Sequence, residues 1–314
     1  VTFESCRWNG QIISSDRIES LKKYADFTTN CPEKEIGLGV PRDSLRLVHQ
    51  AGEIHLMQPA TGRDITDLMT AYAVERMPSY AHLDGFILKG KSPSCGTMND
   101  TPVYDAIDSK GANQKGTGIF GNIVGQSYPL KPLTDEGRLI NLRLWENFLT
   151  QIYLAASFRE IKALGTIQAL IQFHAENKLI LMAFNQNTQR ALGRIVANHE
   201  QIPISDVYAQ YEPLFFRTIV TLPSFTSHIN VLQHAMGYFK TQLSPDEKRF
   251  FMEELEAYRH GLLPLTVLIH LIRGWIVRFG EPYLEQQTYF QPFPPELVPK
   301  ENFVSNREHR KRTG

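Results

Sequence analysis

The sequence predicts an α/β N-terminal domain, Rossmann-like with a small open sheet, over residues 1–143. An all-α helical domain is expected to follow over residues 144–314. Three observations point this way. A chain of 314 residues is longer than one hydrophobic core usually serves, so two domains are expected. Up to about residue 143, short alternating stretches are interleaved with short helical ones, as in a mixed α/β unit. From Arg143 onward the texture changes to long helical segments rich in Leu, Phe and Ile.

The elements follow in order. Asp16–Ala25 carries Ile18, Leu21 and Ala25 at helical spacing, with Asp16 as the expected N-cap. LRLVHQ and EIHLMQ alternate on either side of a turn that contains Gly52, which is a hairpin signal. Asp64–Arg76 reads as a helix. Phe86–Lys89 is a short apolar strand that runs directly into the loop GKSPSCG. Open α/β sheets place their ligands where loops leave the carboxyl ends of strands. In the second half, NFLTQIYLAASFREIKAL, TIQALIQFHAENKLILMAF and RFFMEELEAYRHGLLPLTVLIHLIRGWIVRF are helical, with boundaries expected at Pro203, Pro213, Pro223 and Pro245. Ser244-Pro245-Asp246-Glu247 has the residues of a helix start: Ser at the N-cap, Pro at N1 and Glu at N3. QPFPPELVPKENF is Pro-rich and expected to be extended. The basic tail with Arg307, Arg310, Lys311 and Arg312 is expected to fray.

Composition restricts the function classes. Apolar residues at 42% and charged residues at 21% are those of an ordinary globular protein. The formal net charge is zero, so no overall basic excess announces a nucleic-acid partner, although a local patch is compatible with it. With no secretory pattern and no uninterrupted apolar run of membrane-spanning length, a soluble cytoplasmic protein with no membrane partner is expected.

The three cysteines, Cys6, Cys31 and Cys95, are an odd number, which argues against a disulfide framework. In a reducing compartment they are inert thiols, a nucleophile or a metal site. Each sits in turn-forming surroundings: SCRWNG, NCPE and SPSCG. Thiolates are soft ligands suited to iron–sulfur clusters. Four would saturate a 4Fe–4S cluster, whereas three leave one iron open to an exogenous ligand. By spacing alone, structural thiols and a zinc site completed by a histidine stand beside the cluster reading.

Other residues carry two readings each. Arg42 and Arg46 are candidates for phosphate or substrate contacts, or pair with Asp43 or Glu35. Lys89 and Lys91 flank the SPSCG loop and either balance a cluster's charge or are exposed loop lysines. Gly116, Gly118 and Gly121 faintly resemble a dinucleotide fingerprint, which is discounted because no strand is expected before them. His174, His228, His234, His260 and His270 read as helical core residues rather than ligands. Lys240, Lys248, Arg249, Arg259, Arg273 and Arg278 are candidates for RNA phosphates or an ordinary solvated face beside Glu253, Glu254 and Glu256.

SCRWNG, CPEKEIGLGVPRDSLRLV, FILKGKSPSCG and GIFGN together resemble the thiouracil desulfurase family over residues 1 to about 142. FHAENKLILMAF, HINVLQHAMGYFK, YRHGLLPLTVLIHLI and YLEQQTYFQPFPPEL resemble the YbgA-type domain that commonly follows it. The arrangement is similar to bacterial tRNA 4-thiouridine desulfidases. That resemblance implies a 4Fe–4S cluster held by Cys6, Cys31 and Cys95, thiolated tRNA as partner, and Glu33 with one serine of Ser92 and Ser94 as catalytic groups. Glu33 is then expected to orient and deprotonate a water, and the serine to donate to the pyrimidine or relay a proton to it. The plainer reading of Glu33 is an N-terminal helix charge, and of the serines, turn residues.

Overall fold

The computed structural model describes residues 3 and 5–299, so the expected basic tail lies outside the described residues. The chain divides into two compact units, residues 1–152 with those from 294 on, and residues 153–293. The first is α/β and the second all-helical.

The first unit opens with α1 (Asp16–Leu21) and α2 (Pro32–Glu35). The N-cap of α1 is Ser15, whose side chain accepts from the Ile18 N–H, rather than the expected Asp16. The hydroxyl reaches the orphan donor from one position upstream, which places Asp16 in the first turn beside the positive end of the helix. The expected hairpin is β1 (Arg46–Gln50) and β2 (Glu53–Gln58), antiparallel with Leu47 opposite Leu56 and Gln50 opposite Glu53. Ala51 and Gly52 have φ of 51° and 89°, so both central residues of the two-residue turn are left-handed, as a primed turn requires. β3 (Arg63–Asp64) pairs with β2 and leads into α3 (Thr66–Arg76), whose first turn is tied by Asp64 Oδ1 accepting from the Thr66 N–H at 2.9 Å.

β4 (Phe86–Leu88) lies apart from this sheet, parallel to a later strand. β5 (Thr101–Tyr104) pairs parallel with β1, and β6 (Gln114–Gly116) closes the edge antiparallel to β5. α4 (Ile119–Ser127) follows, then β7 (Leu133–Asp135), the partner of β4. The result is a five-stranded mixed sheet of order β3-β2-β1-β5-β6 and a separate parallel pair, β4-β7. β1 is central, which is why its consecutive residues Leu47 and Val48 are both buried rather than alternating. Leu47 shares its core with Leu56, Met69, Val103, Phe120 and Val124.

The long helix α5 (Leu142–Leu164) begins in the first unit and ends in the second. The chain returns to the first unit at residue 294, where the buried Trp145 indole donates to the Leu297 carbonyl at 2.9 Å. That return is a short 3-10 turn, Pro295–Leu297, within the segment expected to be extended.

The second unit contains α6 (Ile167–Glu176), α7 (Lys178–Phe184), α8 (Gln186–Ala197), α9 (Ile204–Ile219), α10 (Phe225–Gly237), α11 (Pro245–Arg259), α12 (Leu265–Phe279) and the short α13 (Pro282–Glu285). The Ser244 capping box at α11 is present as expected, with both reciprocal bonds made. Pro213 does not end a helix; it lies inside α9. Tyr211 and Phe215 on either side are fully buried and stack on Phe158, and this packing holds the helix through the missing N–H. None of the described helices is long and apolar enough to cross a membrane.

Candidate functional site

The site is built from three loops of the first unit. The first loop centres on Cys31, the N-cap residue of α2. The helix ends after one turn because Gly37, at φ 85°, lets the Gly37 and Leu38 N–H groups return to the Lys34 and Glu33 carbonyls at 3.0 and 3.1 Å. This Schellman closure fixes Glu33, buried at 9% exposure, two residues from Cys31.

The second loop carries Cys6. It is attached to the GLGVPR segment, which contains a cis peptide between Val40 and Pro41. The Arg42 N–H donates to the Trp8 carbonyl at 2.8 Å, and the Arg42 guanidinium donates through one terminal nitrogen to the Cys6 carbonyl at 2.8 Å. Its other terminal nitrogen donates to the Gly39 carbonyl at 3.0 Å. Nε donates to Glu33 Oε2 at 2.6 Å, and the terminal nitrogen serving Cys6 also pairs with that oxygen. Arg42 is therefore not a solvent-facing phosphate contact, and its carboxylate is Glu33 rather than Asp43 or Glu35. Burial at 9% exposure decides this, because every guanidinium nitrogen needs a partner there. Arg46, the other arginine of that segment, donates to the Ser109 carbonyl at 3.0 Å and lies over the Tyr104 ring.

The third loop leaves the carboxyl end of β4 as expected and carries Ser92, Ser94 and Cys95. Ser92 is buried, and its hydroxyl oxygen accepts from the Ser94 and Cys95 N–H groups at 3.3 and 3.2 Å, which closes the turn. Ser94 is fully buried, and its hydroxyl has no hydrogen-bond partner among the described residues. Two residues that look equivalent in sequence thus differ: one hydroxyl holds the loop and the other is unengaged. Thr97 Oγ1 and Asp100 Oδ1, further along this loop, are likewise buried without partners among the described residues.

The loop is pressed against the start of α4. The Gly118, Ile119 and Gly121 N–H groups donate to the carbonyls of Gly96, Pro93 and Ser94 at 2.7, 3.2 and 3.0 Å. A Cβ on Gly118 would come within 2.5 Å of the Ser94 carbonyl, and one on Gly121 within 2.5 Å of the Cys95 carbonyl oxygen. A strand, β6, does precede this glycine run, contrary to expectation. The glycines nonetheless serve close approach of the cysteine loop, and the helix's orphan donors are occupied by that loop's carbonyls. The dinucleotide reading of these glycines does not hold, and the sequence signal for their role is GIFGN, with glycine at its first and fourth positions.

Electrostatics show which groups are neighbours. Burial pushes the Cys31 thiol above its ordinary value; Glu33 and Cys6 push the same way, against the Lys34 N–H and Arg42. Burial pushes the Cys95 thiol up further, reinforced by Glu33, Cys31 and Cys6 and opposed by Lys89. Cys6, Cys31 and Glu33 are therefore all within electrostatic reach of the Cys95 thiol. Among the described residues no three His, Cys, Asp or Glu side chains close on a point as ligands of a single ion would. The residues that could hold a larger group are Cys6, Cys31 and Cys95. Lys89 is half-buried and within electrostatic reach of Cys95, while Lys91 is exposed, at φ 54°.

The second unit's expected basic contacts are mostly paired. Arg249 pairs with Asp246 at 2.9 Å, Arg259 with Glu256 at 3.4 Å and Arg278 with Glu247 at 2.9 Å. Lys248 donates to the Lys240 carbonyl at 2.6 Å, and Arg273 donates to Gln291 at 3.1 Å. Of the histidines, His174 and His228 are hydrogen-bonded to the Tyr211 and Tyr289 hydroxyls at 3.1 and 3.0 Å, whereas His234, His260 and His270 are exposed.

Comparison with known proteins separates the same two parts. Residues 178–294 match a family described as a protein of unknown function, DUF1722. Over 157 residues, 48% of this chain and 91% of the relative, the sequence is 29% identical to the uncharacterized protein YbgA of Escherichia coli strain K12. Over 130 residues, 39% of this chain and 83% of the relative, it is 32% identical to the uncharacterized protein YbbK of Bacillus subtilis strain 168. No solved structure matches the chain. Residues 1–136 match the 2-thiouracil desulfurase family, and this stretch contains all three cysteines, Glu33, Arg42 and both serines. The chain thus belongs to the 2-thiouracil desulfurase family, whose activity is the removal of sulfur from thiouracil-type substrates, and carries a DUF1722 domain behind it.

Proposed function

We propose that the protein is a non-redox desulfidase that converts 4-thiouridine in tRNA to uridine and releases sulfide, with a 4Fe–4S cluster held by Cys6, Cys31 and Cys95. The observation that carries this reading is Arg42 joining Glu33 to the Cys6 loop, with Glu33 and Cys6 in electrostatic reach of Cys31 and Cys95, beside a buried hydroxyl without a partner among the described residues. The donor set fits such a group. Burial and mutual repulsion hold the Cys31 and Cys95 thiols above their ordinary range, so a cation is needed to draw them into the thiolate form. Three soft sulfurs are ligands for iron and sulfide, and the set supplies no fourth cysteine. When bound, the cluster would supply a Lewis-acidic iron open to a soft thiocarbonyl sulfur.

The chain's own residues do the rest. Arg42 engages Oε2 of Glu33 twice, and Oε1 has no protein partner among the described residues. That oxygen accepts the proton of the attacking water. Ser94 donates its otherwise unengaged hydroxyl to the pyrimidine, while Ser92 keeps the Cys95 loop closed. Replacing sulfur by the water's oxygen expels sulfide, and no net electron is transferred.

The test is anaerobic reconstitution with iron and sulfide followed by assay on thiolated tRNA, free 4-thiouridine and 2-thiouracil. Expected are a brown protein, turnover of thiolated tRNA, and a Glu33→Gln variant that keeps the visible spectrum while losing roughly 10²- to 10⁴-fold in rate. A colourless protein defeats the cluster assignment. Turnover of the free base alone defeats the tRNA assignment, and an unchanged rate in Glu33→Gln removes Glu33 as the base.

A further inference from the structure

A cavity of about 860 Å³ lies within the helical unit, and no acidic side chain among the described residues lines it. Its wall includes Lys178 at the start of α7 and both Arg190 and Arg194 of α8. The two arginines are four residues apart, so they project from one face of the helix. None of these three cations has a carboxylate within ion-pair distance among the described residues, in contrast to Arg249, Arg259 and Arg278 in the same unit. All three are solvent-exposed where they line the cavity, and cations that share one pocket wall without counter-charge attract an anion.

Two further observations define the ligand. Tyr238 and Tyr283 line the cavity and stack on each other, with ring centroids 5.2 Å apart and planes 15° from parallel. Tyr238 is 44% exposed, so an aromatic surface is presented beside the cations. His174 lies on the same wall: Nδ1 is engaged by the Tyr211 hydroxyl at 3.1 Å, and Nε2 faces Gly193, where a Cβ would stand 3.3 Å away. A Tyr211 hydroxyl that donates to Nδ1 leaves the hydrogen on Nε2, which adds a neutral donor.

We infer that this cavity is a nucleotide site. The phosphate lies against Lys178, Arg190 and Arg194, and the base stacks on Tyr238. Guanidinium forks match phosphate oxygens, an aromatic face accepts any base, and the volume is that of a small-ligand pocket. The ligand is either a free mononucleotide or the phosphorylated end of an RNA strand. The inference does not depend on the sulfur chemistry of the first unit.

The experiment is calorimetric titration of the full chain with UMP, uridine, inorganic phosphate, and a tri-uridylate with and without its 5′-phosphate. UMP is expected to bind at least tenfold more tightly than uridine or phosphate. The Arg190→Glu/Arg194→Glu double variant should lose at least tenfold in UMP affinity. Tyr238→Ala should weaken UMP but leave phosphate affinity within twofold, which keeps the question open to test if the double variant fails to fold. Exclusion of the phosphorylated trimer assigns the free nucleotide, and binding at least as tight as UMP assigns the strand end. No UMP binding, equal binding of uridine, trimer binding indifferent to its phosphate, or an affinity unmoved in a folded double variant overturns the site.

Discussion

Arg42 donates through Nε to Oε2 of Glu33 at 2.6 Å, and the same guanidinium holds the Cys6 carbonyl at 2.8 Å. One side chain therefore positions the candidate base and one of the three thiols at once. Arg42→Ala would leave a carboxylate buried without its counter-charge and a carbonyl without its donor. The expected loss is about 3–5 kcal/mol in chemical denaturation, together with reduced iron uptake. Arg42→Lys should recover only part of it, because an ammonium cannot reproduce the forked contacts. Full iron content and unchanged stability in the alanine variant would show that Cys6 is placed by something else.

Ser92 and Ser94 should separate under the same substitution. Ser92→Ala removes the acceptor for two N–H groups of the Cys95 turn and should cost about 1–2 kcal/mol. Ser94→Ala removes a buried hydroxyl that has no partner, so stability should hold or rise while turnover falls. Parallel denaturation curves and single-turnover rates check both. Normal turnover in Ser94→Ala would defeat its catalytic assignment.

Within α4, Gly121 and Gly125 make an internal control. A Cβ on Gly121 would stand 2.5 Å from the Cys95 carbonyl oxygen, whereas on Gly125 the nearest atom is Leu133 Cδ2 at 3.7 Å. Gly121→Ala should displace the Cys95 loop and abolish reconstitution. Gly125→Ala should be tolerated and gain up to about 1 kcal/mol from helix propensity. Equal iron content in the two variants would remove the argument from close approach.

Burial, and then the nearby Lys178, hold His174 down at about 4, against an ordinary 6.5. The unfolded chain thus takes up a proton between roughly pH 6.5 and 4 that the folded chain refuses. Stability from this group is fully present above about pH 6.5 and is lost as pH falls toward 4, by on the order of 3 kcal/mol. Urea titrations of the full chain at the two ends of that window should show the loss, and His174→Gln should flatten it. An identical loss in the variant would place the titration elsewhere.

Several features could be read from short stretches alone because their chemistry is local. The two-residue turn at Ala51–Gly52 is set by the adjoining alternation, and the Ser244–Glu247 capping box closes within one helical turn. Pro213, expected to bound a helix, lies inside α9 because the distant contacts of Tyr211 and Phe215 with Phe158 hold that helix. Tertiary packing there outweighs a local breaker.

The sequence by itself determined the two-part α/β and helical organisation, the hairpin, and the cysteine, glutamate and serine residues as the chemically notable set. The tertiary structure decided that Arg42 serves Glu33 and Cys6 and that, among the described residues, Ser94 rather than Ser92 has an unengaged hydroxyl and Lys178, Arg190 and Arg194 stand without counter-charge. Periodicity and caps depend on neighbours within a few residues and are written in the chain. Which donor meets which acceptor across tens of residues depends on the path of the backbone, and burial then makes each of those pairings obligatory.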